Sequence, residues 1–221
     1  MNYTELVAAV QDYAENSFDY SANPAIINRF IKQAEERIYN SVQFPSLRRN
    51  VTGLTAPNNK YLACPTDFLA VYSMAVVNPT TSEYEYLLNK DVNFIRQAYP
   101  VPTSTGIPKY YALFGPTSAL PQELTFILGP TPAAAYTVEL HYFFYPESIV
   151  TANTTWLGDN FDPVLLYGSL VEAITYMKGE QDLVALYDGK YKEALALAKR
   201  LGDGMERQDA YRSGQYRQPV T

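Results

Sequence analysis

The sequence predicts an α+β fold, in which the amino- and carboxy-terminal helices form a helical bundle and a β-rich middle is inserted between them. Apolar residues recur at helical spacing near both ends of the chain, whereas the region from Phe44 to about Pro146 has short apolar runs broken by Pro, Gly and Asn. We expect a helical domain of residues 1–43 and 155–203, an inserted β-rich domain of residues 44–154 that is a sandwich or barrel, and an extended carboxy-terminal arm of residues 204–221.

Two helices are predicted at the amino terminus. Residues 2–16 form the first, and Asn2 with Glu5 three residues later is typical of a capping box. Asn23 followed by Pro24 predicts the start of the second, with Asn23 as its N-cap. Its buried stripe consists of Ile27, Phe30, Ile31, Ala34 and Ile38.

The middle of the chain is predicted to contain five main strands and one short helix. The strands are expected at residues 47–55, 68–77, 109–114, 124–128 and 136–145. In the last of them Tyr136, Val138, Leu140, Tyr142 and Phe144 alternate with Thr137, Glu139 and His141, which indicates one packed face and one wetter face. The helix is expected at residues 92–98, with Asp91 as its cap.

Two more helices are predicted after the β-rich region. Asp162 before Pro163 is expected to cap a helix that runs to Lys178 and is covered on most sides, because its apolar residues occupy more than one stripe. Gly179 is expected to end that helix in the left-handed conformation. A fourth helix should run to Leu201 and stop at Gly202 and Gly204.

The carboxy-terminal end differs in charge from the rest of the chain. Residues 190–221 contain seven Lys/Arg and four Asp/Glu, whereas residues 1–189 contain ten Lys/Arg and nineteen Asp/Glu. Beyond Gly204 there are too few aliphatic residues to form a core. Two interpretations remain open: an arm that becomes ordered on an acidic partner surface, or a weakly basic solvated tail.

The composition also favours protein interfaces. The chain has 20 Tyr and only 18% charged residues, and Tyr is enriched where protein surfaces meet. Many of these tyrosines could instead lie at the edge of a β core, where aromatic residues are also common.

Several functional classes are disfavoured by what the chain contains. One Cys (Cys64) and one His (His141) cannot supply a clustered zinc or iron site, and no glycine-rich phosphate loop or membrane-length apolar run is present. The net negative charge of residues 1–189 disfavours a protein that binds in a groove of a nucleic acid. Asp159 and Asp162 beside Trp156 could imitate a glycosidase acid and base, but Asp162 is already explained as a helix cap and Asp159 as a turn residue. We therefore expect no enzyme, no cofactor and no membrane contact, and synthesis in the cytoplasm because no signal peptide is recognisable.

Residues 155–168 read TWLGDNFDPVLLYG, and the series continues through Glu172-Ala173, residues 177–180, Tyr187 and residues 191–195. This ordered series resembles the phage adaptor, or head-tail connector, proteins. Residues 30–50, 61–73, 89–99 and 136–149 are similar to the same family, so the resemblance covers most of the chain.

The resemblance implies a structural virion protein that forms a ring, usually of twelve copies, below the portal. Such a ring extends the DNA channel, touches the passing DNA only passively and is the docking platform for the tail nozzle or other tail proteins. Terminal segments of the family reach the portal, which gives the following expected portal contacts: Arg200, Arg207, Tyr211, Arg212, Tyr216 and Arg217. The family supplies no catalytic residues. The alternative is a carbohydrate- or receptor-binding tail module, with tyrosines of the β-rich middle stacked on sugar rings.

Overall fold

The computed structural model describes residues 1–18, 23–101, 103–115 and 124–213, with residues 203–213 described by their helical backbone alone. Its helices are α1 (Tyr3–Ala14), α2 (Ala25–Ser41), α3 (Val92–Ala98), α4 (Ile149–Ala152), α5 (Trp156–Asn160), α6 (Asp162–Tyr176) and α7 (Gln181–Ser213), with a 3-10 turn at Pro45–Leu47. Its strands are β1 (Arg48–Leu54), β2 (Tyr61–Ala63), β3 (Ala70–Val77), β4 (Tyr84–Tyr86), β5 (Leu88–Asn89), β6 (Thr105–Gly106), β7 (Tyr110–Phe114), β8 (Thr125–Gly129), β9 (Thr131–Pro132) and β10 (Thr137–Phe143). The α+β fold with a β-rich middle is confirmed.

The chain divides into two compact units. Unit 1 consists of Met1–Leu47 and Tyr145–Thr221, and unit 2 consists of Arg48–Phe144. The sequence places the corresponding boundaries after residues 43 and 154. The structure places them directly before β1 and directly after β10, because the pairing of these two strands closes unit 2.

Unit 2 is a sandwich of two four-stranded sheets. Sheet A has the order β1-β10-β3-β4 and is entirely antiparallel, and sheet B has the order β2-β8-β7-β5. The two sheets share one core, to which sheet A contributes Met74, Val76, Val138, Leu140 and Tyr142 and sheet B contributes Tyr111, Phe126 and Leu128. A small parallel pair, β6 and β9, forms a third sheet.

The predicted alternation of the last strand is confirmed. In β10, Val138, Leu140 and Tyr142 are buried, whereas Thr137 is exposed and His141 is half-buried. Strand β10 pairs with β1 on one side and β3 on the other, so it is a central strand whose inner face fills the core.

Helix α3 covers the other face of sheet B. Asp91 accepts a hydrogen bond from the Asn93 N–H and caps this helix, as the sequence predicts. Ile95 packs with Ala112 of β7 and Ile127 of β8 in a second, smaller core.

Helix α6 is the central helix of unit 1, and it contacts α1, α2, α5 and α7. Gly168 permits this arrangement, because a Cβ atom there would lie 3.2 Å from Cβ of Ala34 on α2 and 3.3 Å from Cε2 of Tyr191 on α7. The prediction that α6 is covered on most sides is confirmed. The capping box of α1 is also confirmed, since Asn2 accepts from the Glu5 N–H and Glu5 accepts from the Asn2 N–H.

Two predicted helix starts are wrong. The N-cap of α2 is Pro24, and this helix start has no side-chain cap, so the predicted capping by Asn23 is not seen. The N-cap of α6 is Phe161, whose carbonyl accepts from Val164 and Leu165, and Asp162 lies inside the first turn. At this position the negative charge of Asp162 still interacts favourably with the positive end of the helix dipole.

The end of α6 differs from the prediction for a steric reason. The helix ends at Tyr176, and the left-handed residue is Lys178, with φ of 55°, rather than Gly179. Gly179 is required by close packing instead, because a Cβ atom there would lie 2.6 Å from Cγ2 of Ile174.

Helix α7 does not stop at Gly202 and Gly204 but continues to Ser213. Residues 204–213 are therefore helical rather than extended, and residues 214–221 of the predicted arm lie outside the described residues. A glycine inside a helix costs only about 1 kcal/mol. At Gly202 the absence of a side chain allows a close approach, since a Cβ atom would lie 2.9 Å from the Gln43 carbonyl oxygen.

Candidate assembly surfaces

Helix α7 packs on the bundle through one face. Tyr191 and Ala198 on this face are buried, and Tyr187 stacks on Tyr167 of α6 with ring centroids 6.4 Å apart. The guanidinium of Arg37 lies over the Tyr191 ring at 5.7 Å. This face holds α7 along α6 and beside α2.

The same helix carries a second apolar face that is exposed, which we call the leucine stripe. It consists of Leu183, Leu186, Leu197 and Leu201, whose side chains are 43–58% exposed. Their spacing of three, eleven and four residues places them on one side of a helix, over an axial length of about 27 Å. Four leucines on one exposed helix face indicate a surface that a protein partner covers.

A shallow groove lies along this stripe. It has a volume of about 280 Å³ and is lined by Pro163, Tyr167, Lys190, Glu193, Ala194 and Leu197. The Lys190 ammonium lies 5.4 Å from the centre of the Tyr167 ring and 5.9 Å from that of Tyr187. A cation and an aromatic ring at the margin of an apolar stripe are typical of protein interfaces.

Of the predicted portal contacts, Arg200 lies beside Leu201 at the end of the leucine stripe, and the others follow the stripe along the chain. Arg200 is exposed on α7, and the spacing of seven and four residues places the backbone positions of Arg207 and Tyr211 on the same side of the helix. Arg212 is also on the α7 backbone. Tyr216 and Arg217 lie outside the described residues.

The buried carboxylate of Glu35 accepts a hydrogen bond from the segment of unit 1 that follows β10. Glu35 of α2 is only 3% exposed, and its Oε1 accepts from the Ile149 N–H at 2.9 Å, at the first residue of α4. Burial raises the pKa of Glu35 above its ordinary value, and the hydrogen bonds from Ile149 and Ser148 and the charge of Lys32 offset part of this shift. The sequence alone did not identify Glu35, because it sits within the polar run of an amphipathic helix.

The outer face of sheet A carries a polar cluster with the connectivity of a hydrolytic triad. Ser73 Oγ lies 3.3 Å from Nδ1 of His141, and Nε2 of His141 lies 3.7 Å from Glu139. Glu139 also accepts from the Asn50 side chain at 2.8 Å and, by its charge and a hydrogen bond, raises the pKa of Tyr84. The 3.3 Å separation is long for proton transfer, and the cluster lies on a sheet face rather than in a cleft. We interpret it as a set of cross-strand polar contacts.

The other residues singled out for chemistry are accounted for structurally. Asp159 lies in α5, which is capped by Thr155, and not in the turn that the sequence predicts. Cys64 is buried, and burial raises the pKa of its thiol to about 12. Among the described residues, no group of three or more His, Cys, Asp or Glu is placed to hold a metal ion. No helix within the described ranges is long and apolar enough to cross a membrane.

The exposed tyrosines are spread over both units. Tyr13, Tyr145 and Tyr176 belong to unit 1, and Tyr61, Tyr72, Tyr84 and Tyr86 belong to unit 2. All of them lie outside the largest groove described, a polar one of about 520 Å³ lined by residues of β5, α3 and β7. A sugar site would require such rings to converge on one concavity.

Comparison with known families decides between these interpretations. The SU10 adaptor protein family matches residues 1–219, nearly the whole chain. The chain belongs to this family. A search of curated proteins found no match.

Membership confirms the resemblance to the head-tail adaptors of tailed phages. A member of this family is a structural protein of the virion, with portal and tail proteins as its partners and with an oligomeric assembly.

Proposed function

We propose that the protein forms a ring, with twelve copies as the expected number, that docks below the portal, extends the DNA channel and is the platform for the tail nozzle. The match to the adaptor family over residues 1–219 carries this proposal. The leucine stripe supports it, because four exposed leucines spread over about 27 Å of one helix face are stabilised when a neighbouring copy covers them.

We assign portal docking to the carboxy-terminal end of α7 and the residues after it. Residues 190–221 contain more Lys/Arg than Asp/Glu, unlike the rest of the chain. The arginines and tyrosines proposed to contact the portal are Arg200, Arg207, Tyr211, Arg212, Tyr216 and Arg217. Arg and Tyr are enriched at interface hot spots. An acidic portal surface would also attract this end over a distance of about 10 Å at moderate salt.

Mass photometry of the protein alone and mixed with the portal of the same phage tests the proposal. The expected result is a defined complex whose mass exceeds that of the portal by a full ring of 24.9 kDa subunits. An intact portal that gains no mass would contradict the adaptor ring and favour the glycan-binding alternative.

Two variants and one matched control separate portal docking from the ring contact. Replacing Arg207, Arg212 and Arg217 by Ala should abolish binding to the portal, whereas replacing the exposed lysines Lys90, Lys109 and Lys178 by Ala removes the same charge elsewhere and should not. Replacing Leu186 and Leu197 by Ser should leave single subunits able to bind the portal but prevent completion of the ring. Equal binding by the two triple variants would refute the assignment of the docking end.

A further inference from the structure

Sheet A ends in two edge strands that complement each other. Within the part of the chain that the structure describes, β1 pairs only with β10 and β4 pairs only with β3, so they are the opposite edges of one sheet. An edge strand has a row of free backbone N–H and C=O groups, which invite pairing with another chain. We propose that β4 of one copy pairs with β1 of the next copy, so that sheet A continues from subunit to subunit. This inference rests on the proposed ring.

The direction of the strands suits this pairing. Each neighbouring pair in sheet A is antiparallel, and the sheet has four strands, so β4 runs opposite to β1. Two copies placed side by side in the same orientation would therefore bring these strands together as an antiparallel pair. Such a contact is heterologous, which is the type that builds rings.

The free groups of β1 can be identified from its neighbours. The Thr55 N–H donates to the Tyr136 carbonyl at 3.0 Å, so Thr55 faces β10. Successive residues of a strand face opposite edges. Leu54 and Thr52 therefore direct their N–H and C=O groups away from β10, toward the free edge.

The same reasoning applies to β4. The Leu87 N–H donates to the Met74 carbonyl and the Glu83 carbonyl accepts from Asn78, both at 2.9 Å, so these residues face β3. Tyr84 and Tyr86 alternate with them and direct their backbone groups to the free edge.

The two sets of free groups lie at the same height of the sheet. Tyr86 is paired with Ala75, Ala75 with Glu139, and Glu139 with Thr52. By the same registers, Tyr84 lies level with Leu54. If β4 of one copy pairs with β1 of the next without a shift, Tyr84 lies opposite Leu54 and Tyr86 lies opposite Thr52. The two residues of each such pair exchange two backbone hydrogen bonds. There is no shift along the strands, which is compatible with a closed ring.

The side chains fit this register. Tyr84 and Tyr86, 56% and 69% exposed, lie on the same outer face as Leu54, which is 67% exposed, so the pairing covers three large apolar groups. Glu85 would lie opposite Gly53, where an added Cβ atom would meet nothing within 4 Å.

Disulfide cross-linking of the assembled protein tests the register. The variants L54C/Y84C and T52C/Y86C join residues expected to be about 5.5 Å apart between Cα atoms, which suits a disulfide. The matched control L54C/Y86C is out of register, with its Cα atoms beyond the roughly 7 Å limit. Native Cys64 is buried and does not compete.

The expected result, after mixing with the portal and mild oxidation, is a ladder of covalent multimers for the two in-register variants and none for the control. Complete rings without a ladder, or a ladder from the control alone, would overturn the pairing but leave the ring intact. Absence of any ring for the wild-type protein would overturn both. If a cysteine variant fails to assemble, the variant Thr52→Pro tests the pairing instead. This substitution removes a backbone N–H group that, in the proposed pairing, donates only to the neighbouring copy. Undiminished ring formation by this variant overturns the pairing.

Discussion

Glu35 provides a sharp test of how unit 1 is stabilised. The change is Glu35→Ala, with Glu35→Gln as the matched variant. Ala removes the acceptor of the buried Ile149 N–H, and an unsatisfied buried donor costs about 1–3 kcal/mol. Gln retains a carbonyl oxygen for the same N–H and nearly the same volume. The free energy of unfolding should therefore fall by about 1–3 kcal/mol for Ala and clearly less for Gln.

The assay is urea unfolding followed by the fluorescence of Trp156. This is the only Trp of the chain and belongs to unit 1, where it packs on Phe44 and Phe161 with ring centroids 5.1 and 5.5 Å away. With a dependence on urea of about 1–3 kcal/mol per molar, the expected loss shifts the midpoint by roughly 1 M. Equal midpoints for the Ala and Gln variants would show that the hydrogen bond to Ile149 contributes nothing.

The pH dependence supplies a second and independent result. Because burial raises the pKa of Glu35 in the folded state, folding favours its protonated form. Its contribution to stability is fully present below the unfolded pKa and is lost as the pH rises through the higher folded pKa. The Gln variant does not titrate, so its stability relative to the wild-type protein should increase from pH 4 to pH 8. Two parallel stability curves over this range would refute the argument that Glu35 is desolvated.

The remaining predictions concern packing and caps. Gly202→Ala should lower the free energy of unfolding by about 1–3 kcal/mol, because its Cβ atom would crowd the Gln43 carbonyl. Gly189→Ala should raise it by about 0.5–1 kcal/mol, because its Cβ atom would meet nothing within 4 Å. Thermal melts should therefore show a lower melting temperature for the first variant and a higher one for the second. Asn2→Ala breaks the capping box and should cost about 0.5–2 kcal/mol in urea unfolding, and an unchanged midpoint would contradict this role. Leu128→Ala empties part of the sandwich core and should cost about 2–5 kcal/mol by calorimetry, whereas a loss below 1 kcal/mol would mean that the core collapses around the gap.

Features that depend on neighbouring residues were predictable from the sequence. The capping box of Asn2 and Glu5, the Asp91 cap and the alternation along β10 involve side chains within a few positions of each other, so local chemistry determines them. The family resemblance is also a property of the ordered sequence, and the match over residues 1–219 confirms it. The portal contacts at the carboxy-terminal end remain a prediction.

Errors arose where a local signal competed with distant packing. Gly202 looks like a helix stop, but the helix continues because the missing side chain allows α7 to approach Gln43, a residue far away in sequence. Gly179 looks like a left-handed cap, but Lys178 takes that conformation and Gly179 instead avoids Ile174. In both cases the glycine was required for close approach and not for its dihedral freedom.

By itself, the sequence determined the class of fold, most of the main elements and the family, because hydrophobic spacing, caps and ordered motifs depend only on residues close together in the sequence or on their order. Only the tertiary structure decided which strands lie at the edges of sheet A, which face of α7 stays exposed and that Glu35 is buried against Ile149. These depend on contacts between residues far apart in sequence, such as Thr52 with Glu139 and Glu35 with Ile149. Spacing along a single element cannot specify which partner it meets.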